Sequence, residues 1–234
     1  MQAKLPRDCS RSVYMAVRFL DRRDAGRRLA AKLQRYAGDP NVVVLGLPRG
    51  GVPVAYEVAR ALRVPMDVFV VRKLGVPGHS ELAMGAIASG GLRVLNTHVI
   101  DSMRIAPAVV ESVADGELRE LERQEAIYRR ADAPFPVLAG RTVIVVDDGL
   151  ATGATMRAAV RTLATSTPAS IVVAVPVAAA ETARSLLEEA DSVVCLSTPV
   201  DFHAVSSWYE DFSQTSDEEV RSLLESASRT VFSR

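Results

Sequence analysis

The chain has 234 residues, of which 48% are hydrophobic and 24% charged, so it can bury the core of one large α/β domain. Its 28 acidic and 28 basic residues balance, which argues against partners that recognise a global charge, such as nucleic acid or a membrane surface. Two cysteines cannot build a disulfide framework, and no apolar run approaches the roughly 20 residues that span a bilayer. We therefore expect a soluble, cytoplasmic protein that binds neither nucleic acid nor a membrane.

Helical and strand patterns alternate along most of the chain. Residues 1–18 show little regular pattern and are expected to be poorly ordered, whereas 19–234 are expected to form one domain. Helices are predicted at 19–37, after 51, at 107–131, after 155, around 183–190 and from 216 onward, and strands at 42–47, 66–71, 83–88, 92–95, 143–146, 171–175 and 192–196. This alternation predicts an α/β fold with a central, mainly parallel sheet and helices on both faces.

Residues 72–82 interrupt the alternation. Two glycines, a proline and several polar side chains predict an exposed, mobile loop that begins with Arg72 and Lys73. The alternative interpretation of these two cations is a solvated basic pair. His79 and Glu81 lie farther along this loop. Either side chain could exchange a proton with a bound base or simply face solvent.

Residues 143–155 are the stretch around which the chain is organised. A short aliphatic strand ends in Asp147 and Asp148, and a loop of small and hydroxyl-bearing residues leads into a helix. Backbone N–H groups at the start of a helix are unpaired and partly positive, so this loop suits a phosphate. The two acids do not suit the same anion; they fit sugar hydroxyls or a metal that the sugar also holds.

The run Asp147-Asp148-Gly149-Leu150-Ala151-Thr152-Gly153-Ala154-Thr155 resembles the fingerprint with which type I phosphoribosyltransferases bind 5-phosphoribosyl 1-pyrophosphate (PRPP). A nucleotide P-loop would require a lysine at the position of Ala154. An ordinary helix entry with capping residues is the structural alternative. The resemblance implies the type I phosphoribosyltransferase fold, with a core over about 42–200 and a small hood built from the chain ends, including the tail 201–234.

The resemblance also implies roles for individual residues. Asp147 and Asp148 would orient the ribose, stabilise positive charge as its C1 bond breaks, and hold Mg²⁺ together with the substrate. The PRPP 5-phosphate would be held by Ala151, Thr152, Gly153, Ala154 and Thr155.

Pyrophosphate would bind at the end of the neighbouring strand, where the resemblance points to Arg49, Gly50 and Gly51. It also implies a cis peptide between Pro48 and Arg49. Arg72 and Lys73 would reach the pyrophosphate from a loop that closes over the site.

Recognition of the acceptor is less defined. Ala151 stands where purine enzymes of the hypoxanthine–guanine kind carry an aspartate, so that residue's role cannot be transferred. Trp208 could stack on a base, although its aromatic neighbours Tyr209 and Phe212 favour anchoring of the tail as the use for the ring. The role of helix 107–131 is left open.

The function implied is transfer of a 5-phosphoribosyl group from PRPP to a nitrogen nucleophile such as a nucleobase, with Mg²⁺-assisted release of pyrophosphate. The alternatives are a catalytically silent regulator that senses PRPP or a nucleotide, and a pure interaction module. A homodimer is the assembly that the resemblance implies.

Overall fold

The computed structural model describes residues 18–128 and 134–231, without side-chain detail at positions 80, 81, 230 and 231. The segment 1–17 lies outside the described residues, so its predicted lack of order stays a prediction. In chain order the strands are β1 (Val42–Gly46), β2 (Met66–Val68), β3 (Val71–Val76), β4 (His79–Ala88), β5 (Leu92–Leu95), β6 (Thr142–Val146), β7 (Ser170–Val177) and β8 (Ser192–Ser197). The helices are α1 (Arg22–Lys32), α2 (Gly51–Leu62), α3 (Thr97–Ser102), α4 (Pro107–Tyr128), α5 (Ala154–Ala164), α6 (Ala180–Leu186) and α7 (Asp217–Val231).

The central sheet consists of five parallel strands in the order β2-β1-β6-β7-β8. Successive side chains of a strand point to opposite faces, so each strand contributes side chains to a hydrophobic core on each face of the sheet. Val43 and Val145 pack with α5 and α6 on one face. Val44 and Ile144 pack with α1 and α2 on the other. The predicted parallel sheet with helices on both faces is confirmed.

One strand prediction and one loop prediction need correction. The strand predicted at 66–71 divides, because β2 ends at Val68 and β3 starts a second sheet at Val71. The predicted loop 72–82 is wrong as well: it is an antiparallel hairpin in which β3 pairs with β4, and β4 pairs with β5. Its two-residue turn is Pro77-Gly78, and Gly78 has a φ of 79°, as expected of the third residue of a proline-glycine turn.

Helix α4 packs on the second sheet, and α7 packs against α4 and α2. Val110, Ala114 and Leu121 of α4 share a buried cluster with Val220 and Leu223 of α7. Residues 129–131, where the first of these helices was predicted to end, lie outside the described residues. Leu118 of α4 is exposed.

Helix α7 begins with a side-chain cap, and α6 and α3 differ from the sequence predictions. The Ser216 hydroxyl accepts a hydrogen bond of 3.1 Å from the Glu219 N–H and thereby caps the start of α7. Helix α6 ends at Leu186, earlier than predicted, and the short α3 was not predicted. In the described part of the chain, no helix is both long and apolar enough to cross a bilayer.

Phe19, near the start of the described chain, meets residues 208–210 of the tail beside the central sheet, at the place where the hood was predicted. The Phe19 N–H donates to the Trp208 carbonyl at 2.9 Å, and the Glu210 N–H donates to the Phe19 carbonyl at 2.8 Å. Phe19 and Tyr209 are buried, with ring centroids 5.4 Å apart. This cluster includes Val177 at the end of β7, so the hood is anchored at the carboxyl edge of the sheet.

Candidate functional site

The polar loops after β1 and β6 leave the sheet side by side. The two strands are parallel neighbours, with Gly46 opposite Val146. The Leu47 N–H continues the ladder by donating to the Val146 carbonyl at 2.9 Å. Because ligands of open α/β sheets bind beyond the carboxyl ends of the strands, this edge is the place to look for a site.

Gly50 and Gly51 let the first loop lie directly against the two acids. A Cβ atom on Gly51 would be 2.6 Å from the Val146 carbonyl oxygen and 2.9 Å from the Asp147 Cα. A Cβ atom on Gly50 would overlap the Asp148 carboxylate. The peptide between Pro48 and Arg49 is cis, as the resemblance implied. Two segments about 100 residues apart in sequence therefore form one surface.

Asp148 is paired with Arg22 of α1. The Arg22 Nε lies 2.9 Å from Asp148 Oδ2, and the two side chains are only 12% and 15% exposed. Asp147 is oriented locally, because its Oδ1 accepts the Asp148 N–H at 2.9 Å. Each acid thus has one carboxylate oxygen fixed by the protein.

Burial is the largest influence on the pKa values of Asp147 and Asp148. It raises the pKa of Asp147 well above its usual value, and the neighbouring Asp148 charge raises that pKa further. Burial also raises the pKa of Asp148, while the Arg22 guanidinium opposes this shift. A cationic or hydroxyl-bearing ligand would stabilise the ionised pair, which is a reason to assign this position to binding.

The tail also holds the backbone of Asp148. The Tyr209 hydroxyl donates a hydrogen bond of 2.6 Å to the Asp148 carbonyl oxygen. Burial raises the pKa of Tyr209, and the Asp148 charge adds to the shift, so the donor keeps its proton. Asp148 is therefore fixed at its carboxylate by α1 and at its carbonyl by the hood.

The loop expected to hold a phosphate opens α5. Gly153 caps the helix at a φ of 72° without a side-chain hydrogen bond, and a Cβ there would be 2.5 Å from the Thr182 Cγ2. The Thr182 hydroxyl steadies the loop by donating to the Ala151 carbonyl at 2.7 Å. Thr152 and Thr155 are exposed at this end of the helix. This geometry suits an anion at the first N–H groups of α5.

Arg49 faces an acid of the tail. Its Nη1 lies 3.7 Å from Asp217 Oδ1, the atom that also accepts the Tyr128 hydroxyl at 2.9 Å. Burial and this hydrogen bond raise the pKa of Tyr128 to about 12. A pyrophosphate at Arg49 would compete with Asp217.

Arg72 and Lys73 do not act as one basic pair, contrary to the expectation of a loop. Consecutive residues of a strand point to opposite faces. Arg72 binds Glu117 of α4, with its Nε and Nη2 both 2.7 Å from Glu117 Oε2. Lys73 instead lines a groove, together with Thr152 and Ala154 of the phosphate loop. Lys73 is therefore brought to the site, and Arg72 is committed elsewhere.

The groove lies between α5 and the second sheet and has a volume of about 620 Å³. The residues that line it are Lys73, Ala83, Gly85, Ala86, Val94, Leu95, Asn96, Thr97, His98, Thr152, Ala154, Arg157, Ala158 and Arg161. Two of these cations are partly balanced, because Arg161 makes a forked pair with Glu189 and the Arg157 Nη1 lies 3.8 Å from the same carboxylate. The groove offers a mixed apolar and cationic lining beside the phosphate loop.

The remaining predicted site residues are His79, Glu81 and Trp208, and their surroundings differ. His79 is exposed at the tip of the hairpin, opposite Val76. The side chain of Glu81 lies outside the described part of the structure. Trp208 packs against the hood cluster, which favours the anchoring role over base stacking. Its Nε1 is buried without a hydrogen-bond partner among the described residues.

Three residues of the site were not predicted: Arg22, Tyr209 as a hydrogen-bond donor, and Asp217. Arg22 is 126 residues from its partner, and it stands among several arginines of α1 that have no distinguishing spacing. A buried tyrosine needs a hydrogen-bond partner, and this was the one available signal for Tyr209.

The donor set suits a magnesium ion that is shared with a substrate. Among the described residues, no group of three or more His, Cys, Asp or Glu side chains is arranged to hold a metal. Asp147 and Asp148 each retain one carboxylate oxygen, and Mg²⁺ is commonly bound by one or two carboxylates plus substrate phosphates. These residues fit such an ion, although the Arg22 charge leaves Asp147 as the better ligand.

A family model for the phosphoribosyl transferase domain matches residues 19–211, and the chain belongs to this family. The sheet order and the paired loops are accordingly those of a type I phosphoribosyltransferase fold. Structural similarity agrees: the crystal structure of TT1426 from Thermus thermophilus is 44% identical in sequence and has a TM-score of 0.77, with 88% of this chain and 97% of that chain covered.

Two curated relatives come from strains of Mycobacterium tuberculosis, CDC 1551 / Oshkosh and H37Rv. Both carry a provisional name as phosphoribosyl transferases, and both are 48% identical to this chain over 211 residues. The match covers 90% of this chain and 47% of each relative, so the chain spans about half the length of the curated relatives it matches.

Proposed function

We propose that the protein transfers a 5-phosphoribosyl group from PRPP to a nitrogen nucleophile and releases pyrophosphate. The observation that carries the proposal is the contact of two glycines with two acids: Gly50 and Gly51 lie against Asp147 and Asp148 with no room for a side chain. A loop rich in N–H donors beside a pair of carboxylates can bind a pyrophosphate and a sugar at once.

In the proposed complex, the 5-phosphate binds the loop 151–155 and the ribose hydroxyls bind the free oxygens of Asp147 and Asp148. The helix start offers N–H groups and partial positive charge to the phosphate, and Thr152 and Thr155 add hydroxyl donors. The acids face the sugar, where positive charge develops as the bond at C1 weakens.

The leaving group would lie at Arg49, Gly50 and Gly51. The C1–O bond breaks with its electron pair going to pyrophosphate, and a bond forms between C1 and the acceptor nitrogen. Arg49 and Lys73 would neutralise the departing charge, whereas Arg72 would do so only after leaving Glu117. Magnesium, when bound, would supply further charge neutralisation on pyrophosphate and would be held by Asp147 and Asp148.

Such a reaction needs little general-base catalysis if C1 carries most of the positive charge before the acceptor attacks. His79 and Glu81 are retained as proposed proton acceptors, and Trp208 as a proposed stacking surface. The acceptor is a nitrogen nucleophile, with a nucleobase as the class to test first. The homodimer is also a proposal, and light scattering of the purified chain tests it.

The direct test incubates the protein with PRPP, Mg²⁺ and a panel of nucleobases and other amines while pyrophosphate is measured. Acceptor-dependent release of pyrophosphate is the expected result. Thr152→Val, which removes one proposed phosphate donor and keeps the shape, should raise KM for PRPP. Thr165→Val at the other end of α5 is the matched control and should leave KM unchanged.

The outcomes separate the three functions considered from the sequence. PRPP binding without pyrophosphate release by any acceptor would contradict the transferase and indicate a regulator. Absence of PRPP binding would contradict both and leave an interaction module.

A further inference from the structure

Arg22 is placed at the site by an unusually complete set of contacts. Its Nε donates to Asp148 Oδ2 at 2.9 Å, and its Nη1 donates to the Ser213 carbonyl at 2.6 Å. Its guanidinium carbon lies 3.9 Å from the centroid of the Phe212 ring. The planar fork of arginine is suited to holding two acceptors while stacking on an aromatic ring.

The surroundings leave Arg22 little freedom. Its side chain is 12% exposed, and a Cβ atom on Gly50 would come within 3.2 Å of its Nε. The ion pair is thus enclosed by α1, the tail and the loop after β1. A charged pair that is largely withdrawn from water keeps one geometry, unlike an exposed surface pair.

The contact also determines which atom of Asp148 can meet a ligand. Because Arg22 binds Oδ2, Oδ1 is the carboxylate oxygen left for another partner. The Tyr209 hydroxyl fixes the carbonyl of the same residue, so the backbone from which the Asp148 side chain projects is held as well.

We propose that Arg22 is a positioning residue: it fixes the rotamer of Asp148 so that Oδ1 faces the sugar of the bound substrate, and it makes the tail part of the sugar site. This inference rests on the proposed function, since it concerns how that site grips PRPP. Arg22 acts through Asp148, which it links to the tail, and does not itself contact the sugar.

A purely structural role is the competing explanation, in which Arg22 merely ties the tail to α1. The two roles differ in a double-mutant cycle with Asp148. If Arg22 acts through Asp148, its replacement matters much less once Asp148 has become asparagine. If Arg22 is only a tie, the two effects on PRPP affinity are independent.

The experiment measures the dissociation constant for PRPP in the presence of Mg²⁺ by calorimetry, with the melting temperature of each variant. Arg22→Gln should weaken PRPP binding by about tenfold or more, as for loss of a hydrogen bond to a charged group. In the Asp148→Asn background the same change should weaken binding by less than about twofold. Arg22→Lys keeps the charge but not the fork, and should give an intermediate loss.

Arg23→Gln is the matched control. Arg23 is the next residue of α1 and lies 4.0 Å from Glu57 and from Glu219, so its loss removes the same charge without touching Asp148. Its PRPP affinity should equal that of the wild type.

The results distinguish failure of this inference from failure of the proposed function. Wild-type protein that does not bind PRPP overturns both. Wild-type binding that Arg22→Gln leaves unchanged, or weakens equally in the Asp148→Asn background, overturns the positioning role alone. If Arg22→Gln does not fold, Arg22→Lys decides: affinity equal to that of the wild type overturns the role, and an intermediate loss supports it.

Discussion

The hydroxyl oxygen of Tyr209 lies 2.6 Å from the backbone carbonyl oxygen of Asp148, to which it donates a hydrogen bond. This bond joins the tail to the second acid of the fingerprint across 61 residues of sequence. Burial raises the pKa of Tyr209, so the phenol remains a donor at neutral pH. The hood is therefore part of the site's framework as well as a cover over the sheet.

Tyr209→Phe should destabilise the protein by about 1–2 kcal/mol, because the partly buried Asp148 carbonyl loses its donor. It should also raise KM for PRPP, since the acid is held less firmly. Thermal denaturation and steady-state kinetics measure the two effects. Tyr36→Phe is the control: Tyr36 accepts from Arg35 near the surface, and its loss should change neither quantity. Equal effects from both substitutions would show that Tyr209 has no particular link to the site.

Asp147→Asn should abolish most PRPP turnover, by about 100-fold or more in kcat/KM, while stabilising the fold. The pKa of Asp147 is raised in the folded state by burial and by Asp148, with Arg22 opposing. A folded acid with a raised pKa binds its proton more tightly than the unfolded chain does, so the wild type gains stability as pH falls towards the unfolded pKa. Asparagine removes the cost of the charge at higher pH.

The measurement for Asp147→Asn is the melting temperature from pH 5 to 8. The variant should exceed the wild type at pH 8, and the difference should shrink towards pH 5. Asp148→Asn is the comparison, since it also deprives Arg22 of its partner; its turnover should fall far more than its stability. A variant at position 147 that is less stable than the wild type at pH 8 would refute the assigned cost of that charge.

Gly51→Ala should cost about 1–3 kcal/mol of stability and most of the activity, because the added methyl meets backbone atoms of Val146 and Asp147 that cannot move aside. Urea denaturation measures the loss of stability, and pyrophosphate release measures the loss of activity. Gly116→Ala is the matched control. Its nearest neighbour is the end of the Arg119 side chain at 4.0 Å, so the same substitution within α4 should stabilise by about 0.5–1 kcal/mol.

Asp217→Asn should lower KM for PRPP, because Arg49 would no longer be shared with a carboxylate 3.7 Å away. Both side chains are partly exposed, so the gain should not exceed about fivefold. Asparagine can still accept the Tyr128 hydroxyl, which keeps the helix contact. Glu219→Gln removes a charge from the same turn of α7 and should leave KM unchanged. A higher KM for Asp217→Asn would mean that Asp217 assists the site.

Local patterns were sufficient to predict the parallel core and the fingerprint. A strand of β-branched residues followed by small residues and a helical pattern folds largely from its own sequence, so residues 143–155 could be recognised in isolation. The cis peptide before Arg49 came with the family resemblance. The family match and the sheet order confirm the predicted family and the parallel core.

The hairpin was missed because residues 72–82 hold Gly75 within β3 and Pro77 and Gly78 in the turn, all of which weigh towards a loop. Backbone pairing with β5 gives β4 a partner on each side, and tertiary context overrode the local preference. The error had a consequence for function, since in a strand Arg72 and Lys73 separate to opposite faces. The Pro77-Gly78 pair was the signal that a turn was present.

The contacts that complete the site were beyond local patterns. Arg22 meets Asp148, and Tyr209 meets the same residue, only after the chain ends have folded back onto the sheet. Nothing in the spacing of α1 arginines distinguishes the one that is buried. Such partners depend on the packing of the hood, which the core fingerprint does not determine.

The central claim is that PRPP docks at the edge where β1 and β6 end. Calorimetric titration of the wild-type chain with PRPP and Mg²⁺, alongside the Asp147→Asn/Asp148→Asn double variant, tests it most directly. We predict saturable binding with one site per chain for the wild type and loss of that binding in the double variant. No heat of binding to the wild type, or equal binding to both proteins, would contradict the account.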